Sequence, residues 1–350
     1  MESSKIPEPR VSKGKGYPWY HAVYLHLGAG ILRNIVWSIS GSGTNFDKYV
    51  TIETPGLGTG RVRCAVCLPR SPGNQQPNTK PKLPLVLVIE GGGFVLGHPE
   101  NGEHNDRLVS DKTQSVVISV DYAKAPRHPF PHALLQLYEV LRWTLSVGSE
   151  AVGSDIDPSR VAIMGNSAGG NLTAALSLLL SITSGPCARF REGLPASFRQ
   201  LLQILLYPSL ECHRFYRTRF QRSAQEVQAK SLPIAIAELM EESYLPPYVE
   251  KEQIFVAPVL ADVGLLNKLQ VPRALILVAG LDCLKDEAEA YAHTLQEAGV
   301  PVKLERYPQA IHGFSHYKEG SKDFRKDDVM DCWKKICEDL QLSFQMSVEN

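Results

Sequence analysis

Val161-Ala-Ile-Met-Gly165-Asn166-Ser167-Ala168-Gly169-Gly170-Asn-Leu-Thr-Ala-Ala-Leu176 opens as a short apolar run and continues as a helical pattern. At the join stands a G-x-S-x-G motif, Gly165 to Gly169. A strand that turns abruptly into a helix lifts a serine hydroxyl into the open, and the motif has this meaning only in that context. The flanking glycines remove side chains that would collide in so sharp a turn. The helix N-terminus adds unpaired N–H groups and the positive end of its dipole, both suited to an oxyanion. Ser167 is therefore a candidate nucleophile.

Outward from this point, apolar runs alternate with helical patterns. Leu85–Glu90, Ser115–Val120, Val161–Gly165, Leu202–Pro208, Ala274–Gly280 and Val302–Pro308 read as strands. Ala133–Val147, Asp286–Gly299 and Phe324–Leu340 read as helices. Continuous apolar strands alternating with helices predict a mostly parallel sheet covered on both faces. Ligands then bind at the carboxyl ends of the strands. Two stretches stay outside the alternation, one up to about residue 45 and one over about 211–251. Both are candidates for a helical cap over the strand ends. The Pro-, Asn- and Gln-rich stretch Ser71–Pro84 reads as an exposed loop.

A serine hydroxyl needs a base within hydrogen-bond reach, and the base needs an orienting carboxylate. In a strand-turn-helix site of this kind the chain order is Ser, then Asp or Glu, then His. Asp282 follows the strand Ala274–Gly280, and His312 follows the next strand, in that order. Asp286 is a rival acid four residues on, placed in the first turn of a helix where a carboxylate caps. Glu90-Gly91-Gly92-Gly93-Phe94 follows the strand at residue 85. Three consecutive glycines expose backbone N–H groups that suit a developing oxyanion.

Composition excludes several other classes. Of 350 residues, 43% are hydrophobic and 21% charged, an ordinary globular balance. A chain of this length buries about three quarters of its unfolded surface and needs no disulfide or metal staple. Lys plus Arg and Asp plus Glu each number 37, so there is no net field to attract nucleic acid or an anionic membrane, which leaves only local patches. Seven cysteines follow no framework, which points to a reducing, cytoplasmic setting. Cys64 and Cys67 form a CxxC in an alternating strand, where they point to opposite faces and act as small hydrophobes. The first residues show no secretory signal. Tyr20–Ile39 carries His21, His26, Arg33 and Asn34, which predicts an amphipathic helix that covers the active site or touches a membrane surface, rather than a membrane span. Asn171-Leu-Thr173 matches a glycosylation sequon, read as chance inside a helix.

Taken together, the segments beginning at Glu90 (EGGGFVLG), Val120 (VDYAKAPRHPFPHA), Gly165 (GNSAGGNLTAAL), Gly280 (GLDCLKDEAEAYAHTLQEAGV) and Ile311 (IHGF) resemble the hormone-sensitive-lipase-like branch of the α/β-hydrolases. The resemblance spans about residues 84–316. It implies an α/β-hydrolase fold in which Ser167, Asp282 and His312 are catalytic. It also implies an oxyanion hole built from the N–H groups of Gly92, Gly93 and Ala168. A cap from N-terminal helices (1–45) and an insertion at about 211–251 within a catalytic domain (46–350) is expected. The implied function is a serine carboxylesterase acting on small or medium esters, without metal or organic cofactor. Some fungal relatives work in natural-product metabolism.

Four positions depart from the family pattern. Glu90 stands where the family has histidine, as a possible modulator. A carboxylate aimed at the oxyanion would oppose its charge, so Glu90 points away, is held neutral, or serves different chemistry. Asn166 replaces an aspartate. Ala123 and Arg127 replace an arginine and a glutamate. The alternatives are a non-hydrolytic enzyme on the same scaffold (lyase, dehydratase or acyl transfer) and, last, a ligand-binding module. Oligomeric state is left open.

Overall fold

The computed structural model describes residues 6–39, 42–70 and 82–346. The loop expected over Ser71–Pro84 lies outside them except at its end, where Leu83 and Pro84 already belong to a strand.

Eight strands form one sheet: β1 (Lys48–Glu53), β2 (Arg61–Cys67), β3 (Leu83–Ile89), β4 (Val116–Asp121), β5 (Ile156–Asn166), β6 (Gln200–Leu206), β7 (Arg273–Leu281) and β8 (Val302–Ile311). Their order is β1-β2-β4-β3-β5-β6-β7-β8. β1, β2 and β4 pair antiparallel, and the remaining pairs are parallel. The apolar runs predicted the parallel strands. The antiparallel edge strand β1 alternates exposed and buried residues and carried too weak an apolar signal to be read.

Twelve α-helices accompany the sheet among the described residues. They are α1 (Trp19–Ile39), α2 (Glu103–Thr113), α3 (His132–Ser146), α4 (Ser149–Val152), α5 (Ala168–Ser181), α6 (Ala188–Glu192), α7 (Tyr216–Arg222), α8 (Gln225–Gln228), α9 (Ile234–Tyr244), α10 (Val263–Leu266), α11 (Lys285–Glu297) and α12 (Lys326–Met346). Successive strand residues face opposite sides. Leu85, Leu87 and Ile89 pack with residues of α3, α5 and α11, whereas Val86 and Val88 pack with residues of α2 and α12. Cys64 and Cys67 likewise belong to opposite cores, and all seven cysteines are free and buried.

The chain runs from β3 outward to β4 and returns to the other side of β3 as β5. This reversal leaves a crevice at the carboxyl ends of β3 and β5, the usual ligand position in such sheets. α1 and α7–α9, the two stretches outside the alternation, lie near it. Arg33 of α1 donates from Nε to Val95 O at 2.9 Å and from Nη2 to Ala125 O at 2.5 Å. His21 pairs with Glu242 of α9 at 2.8 Å, and a Cβ at Gly28 would overlap Leu239. Tyr244 stacks on Phe94 with ring centroids 3.7 Å apart. No helix among the described residues is long and apolar enough to cross a membrane.

Asn171 is fully buried on α5, out of reach of a glycan. Its Nδ2 donates to Ser209 O at 2.8 Å and Val256 O at 2.9 Å, tying α5 to two loops. Asn171→Ala strands both carbonyls without water. A loss of about 1–3 kcal/mol in urea-unfolding free energy is expected.

Candidate active site

Ser167 stands between β5 and α5 at φ 54°, ψ −119°. A positive φ is costly for a non-glycine residue and survives only where the surroundings over-determine it. Here Ser167 N donates to Leu206 O at 2.9 Å, and Ser167 O accepts from Asn171 N and Ser209 N, each at 3.1 Å. The turn is thus held from β6 and from α5.

Asp282 follows β7 and His312 follows β8, which runs on to Ile311. His312 Nε2 is 2.8 Å from Ser167 Oγ, and His312 Nδ1 is 2.6 Å from Asp282 Oδ2. The other oxygen, Oδ1, accepts from Leu284 N at 3.1 Å, which fixes the carboxylate in a 2% exposed position. Asp286 lies in the first turn of α11, as the rival reading placed it. Burial of the imidazole disfavours its charged form. The charge and hydrogen bond of Asp282, with a smaller contribution from Glu287, outweigh that, so His312 keeps its proton to a higher pH than an ordinary histidine. This arrangement can take a proton from a serine hydroxyl and return it to a leaving group.

The glycine loop crosses beside the turn. Gly92 and Gly93 have φ of 107° and 58°, and a Cβ at Gly93 would collide with Met240. Gly91 N donates to Asn166 Oδ1 at 2.5 Å. The residue that replaces the family's aspartate therefore joins this loop to the serine turn. Gly93 and Ala168 line the same cavity as Ser167 and His312, and Gly92 does not.

Glu90 is buried but does not line that cavity. Its carboxyl faces Gly102, where a Cβ would overlap it, and its Oε2 is 3.5 Å from His316 Nε2. His316 Nδ1 in turn meets Tyr207 Oη and Ser315 Oγ, each at 2.9 Å. The Glu90 carbonyl accepts from Tyr122 Oη at 3.0 Å. Of the readings left open by the sequence, the geometry favours the one in which this side chain points away. Nearby Asp106 is pushed well above the ordinary carboxylate range, first by burial and then by the charge of Glu90.

A second ionic group lines the far side of the cavity. Arg219 Nη1 donates to Glu287 Oε2 at 3.1 Å and to Ser209 Oγ at 3.2 Å, and its Nη2 pairs with Glu241. Glu287 also accepts from Leu210 N at 2.6 Å. Two carboxylates share one guanidinium, and burial pushes Glu287 up to about 7 despite Arg219. Sequence reasoning missed Arg219, Glu241 and Glu287 because they come from α7, α9 and α11, which no short motif links. Tyr207 and His316 were also missed, although each flanks a strand end. The cavity is small, about 70 Å³, and otherwise lined chiefly by Phe94, Cys212, Tyr216, Leu232, Met240 and Leu284. Among the described residues, no three His, Cys, Asp or Glu side chains gather as a metal site.

In a histidine NMR titration, His312 should titrate above the ordinary value of 6.5, and Asp282→Asn should lower it, since the lost charge leaves burial to dominate. Arg219→Met leaves two buried carboxylates uncompensated. Calorimetric unfolding should show a loss of about 3–5 kcal/mol.

Comparison with known proteins agrees with the fold. A family model described as an alpha/beta hydrolase fold matches residues 86–316. Carboxylesterase NlhH of Mycobacterium tuberculosis is 30% identical over 241 residues, 69% of each chain. The arylesterase of Saccharolobus solfataricus is 29% identical over 230 residues, 66% of this chain and 68% of its own. A thermostable esterase from Pseudomonas putida shares the fold with a TM-score of 0.72 at 24% identity, covering 95% of this chain and 99% of that one. With its serine turn and glycine loop in the matched region, the chain belongs to the α/β-hydrolase-fold family, in its hormone-sensitive-lipase-like branch.

Proposed function

We propose that Ser167, His312 and Asp282 hydrolyse carboxylic esters through an acyl-enzyme. The protein is a serine-type carboxylic-ester hydrolase, in keeping with its family and esterase relatives. The observation that carries the residue assignment is the unbroken line of hydrogen bonds from Ser167 Oγ through His312 to Asp282, 2.8 Å and 2.6 Å long, at the wall of a cavity.

Ser167 Oγ attacks the ester carbonyl carbon while its proton passes to His312 Nε2. Asp282 holds the ring in the required tautomer and stabilises the imidazolium. The N–H groups of Gly92, Gly93 and Ala168 receive the negative oxygen, each such donor being worth about 10²–10³ in rate. The intermediate collapses, and the departing alkoxide takes the proton from His312. Water then gives its proton to the same nitrogen and attacks the acyl carbon. The carboxylic acid leaves and the serine is restored. Glu90, turned toward His316, contributes no opposing charge at the oxyanion and supports the loop from behind.

α1 and the α7–α9 segment serve as the cap, since they meet the glycine loop through Arg33 and Tyr244. The small cavity behind Ser167 receives the acyl chain, with the Arg219 group as its polar end. A reducing, cytoplasmic setting is supported by seven free thiols.

A fluorophosphonate probe should label Ser167, located by mass spectrometry of the modified peptide, and His312→Ala should abolish labelling. A folded protein that resists the probe would overturn the assignment. Ser167→Ala should lower kcat by about 10⁶ with an unchanged circular dichroism spectrum. Only the neutral imidazole accepts the serine proton. kcat/KM should therefore rise with pH through a midpoint above the ordinary histidine value of 6.5. On p-nitrophenyl esters, acetate and butyrate should be cleaved at least about tenfold faster than octanoate, because a filled pocket excludes added methylenes.

A further inference from the structure

The sequence predicted an amphipathic helix at the N-terminus. α1 turns a broad set of apolar residues to solvent, beside exposed His26 and Asn34. Its inner side is anchored: Leu25 and Ala29 are buried, Arg33 reaches the carbonyls of Val95 and Ala125, and His21 is paired with Glu242. Its outer side carries Trp19, Tyr20, Val23, Tyr24, Leu27, Ile31 and Ile35, spaced by one, three and four residues, with Trp37 beyond. These are not grazing exposures: Trp19 is 78% exposed, Leu27 64%, Ile31 62% and Trp37 63%. A contiguous apolar face on the surface marks an interaction site.

We propose that this face docks on an anionic phospholipid surface. Three observations select that partner. First, the face is rich in Trp and Tyr, whose rings are apolar and whose N–H or O–H tips want water. Such side chains belong at the boundary between headgroups and acyl chains. Second, the charges agree. α1 contains no Asp or Glu. The segment leading into it carries exposed Lys13 and Lys15, neither paired with a carboxylate among the described residues, and the nearby Glu242 is engaged by His21. Third, a second copy of the chain is a poor occupant. A helix of 21 residues presents a face about 30 Å long and about 10 Å wide. That is well short of the roughly 800 Å² each partner contributes to a stable dimer, whereas a helix lying flat in a membrane interface needs no more than its own face.

Docking would bring the lipid surface to the helix that holds the oxyanion loop, because Arg33 of α1 bonds Val95, two residues after Gly93. Esters concentrated in the interface would then be presented beside the cap without the protein spanning the bilayer.

Flotation of the full chain with vesicles tests this. One set is phosphatidylcholine alone and the other contains about 30% phosphatidylserine, at low ionic strength. The wild type should bind the anionic vesicles at least about tenfold more tightly than the neutral ones, and added salt should weaken that binding. Leu27→Glu with Ile31→Glu should lose binding to both sets by about tenfold or more. Lys13→Glu with Lys15→Glu should lose the preference for the anionic set. Hydrolysis of a water-soluble short ester should be unchanged in both variants, which also reports that they are folded. The proposal is overturned if the wild type ignores anionic vesicles, if it prefers neutral ones, or if the Leu27/Ile31 variant binds as well as the wild type. It is overturned equally if sedimentation shows a dimer that this variant dissociates while vesicles bind neither protein, since the face then belongs to a second copy.

Discussion

The left-handed turn at Ser167 is the constraint on which the site depends. A serine does not hold φ 54° of its own accord. It is pinned because the chain on either side is already committed: β5 is paired to β3 and β6, and α5 is packed down on the sheet. A Cβ at Gly169 would collide with the Ile89 carbonyl of β3, which shows how closely the new helix passes the neighbouring strand. That close passage also brings Gly91 N to Asn166 Oδ1 and so registers the glycine loop against the turn. The proposed nucleophile and oxyanion donors are thus positioned by one packing event, at the point where the strand order reverses.

Around this turn the protein holds several acids, each beside a basic side chain. Asp282 meets His312, Glu90 turns to His316, and Glu241 and Glu287 share Arg219. An uncompensated carboxylate in such surroundings costs several kcal/mol, so the pairing decides which charge faces the reacting centre. Only Asp282 reaches the imidazole, and its influence overcomes the burial that would otherwise keep His312 neutral. The replacement of the family's loop histidine by Glu90 is accommodated by the same logic. Its carboxyl occupies the space left by the absent side chain at Gly102 and approaches the ring of His316.

That Ser167, Asp282 and His312 come together was legible in single stretches of sequence because each piece is local. Ser167, Asp282 and His312 each follow an apolar strand, and a strand end in a parallel sheet is a defined place. Cys64 and Cys67 fall on opposite faces because side chains alternate along a strand. Their assignment to the two cores follows from the pattern RVRCAVC alone. The helix that carries Asn171 was likewise expected from the run after Ser167, though its burial was not. β1 was not legible, because an edge strand half in water resembles a loop in composition.

What the sequence by itself determined is therefore the order of strands and helices and the chemical groups delivered at the strand ends, since both depend on neighbours a few residues apart. Only the tertiary structure decided where the long side chains go. Glu90 could have faced the oxyanion, and turns to His316 from the far end of the chain. Arg219, Glu241 and Glu287 become one cluster only when α7, α9 and α11 meet. α1 shows the same limit: its string of apolar residues predicts a helix, but which half of them faces water is settled by Arg33, His21 and the cap beneath. Rotation of a helix and direction of a side chain depend on contacts between distant segments, and a linear pattern carries no record of those.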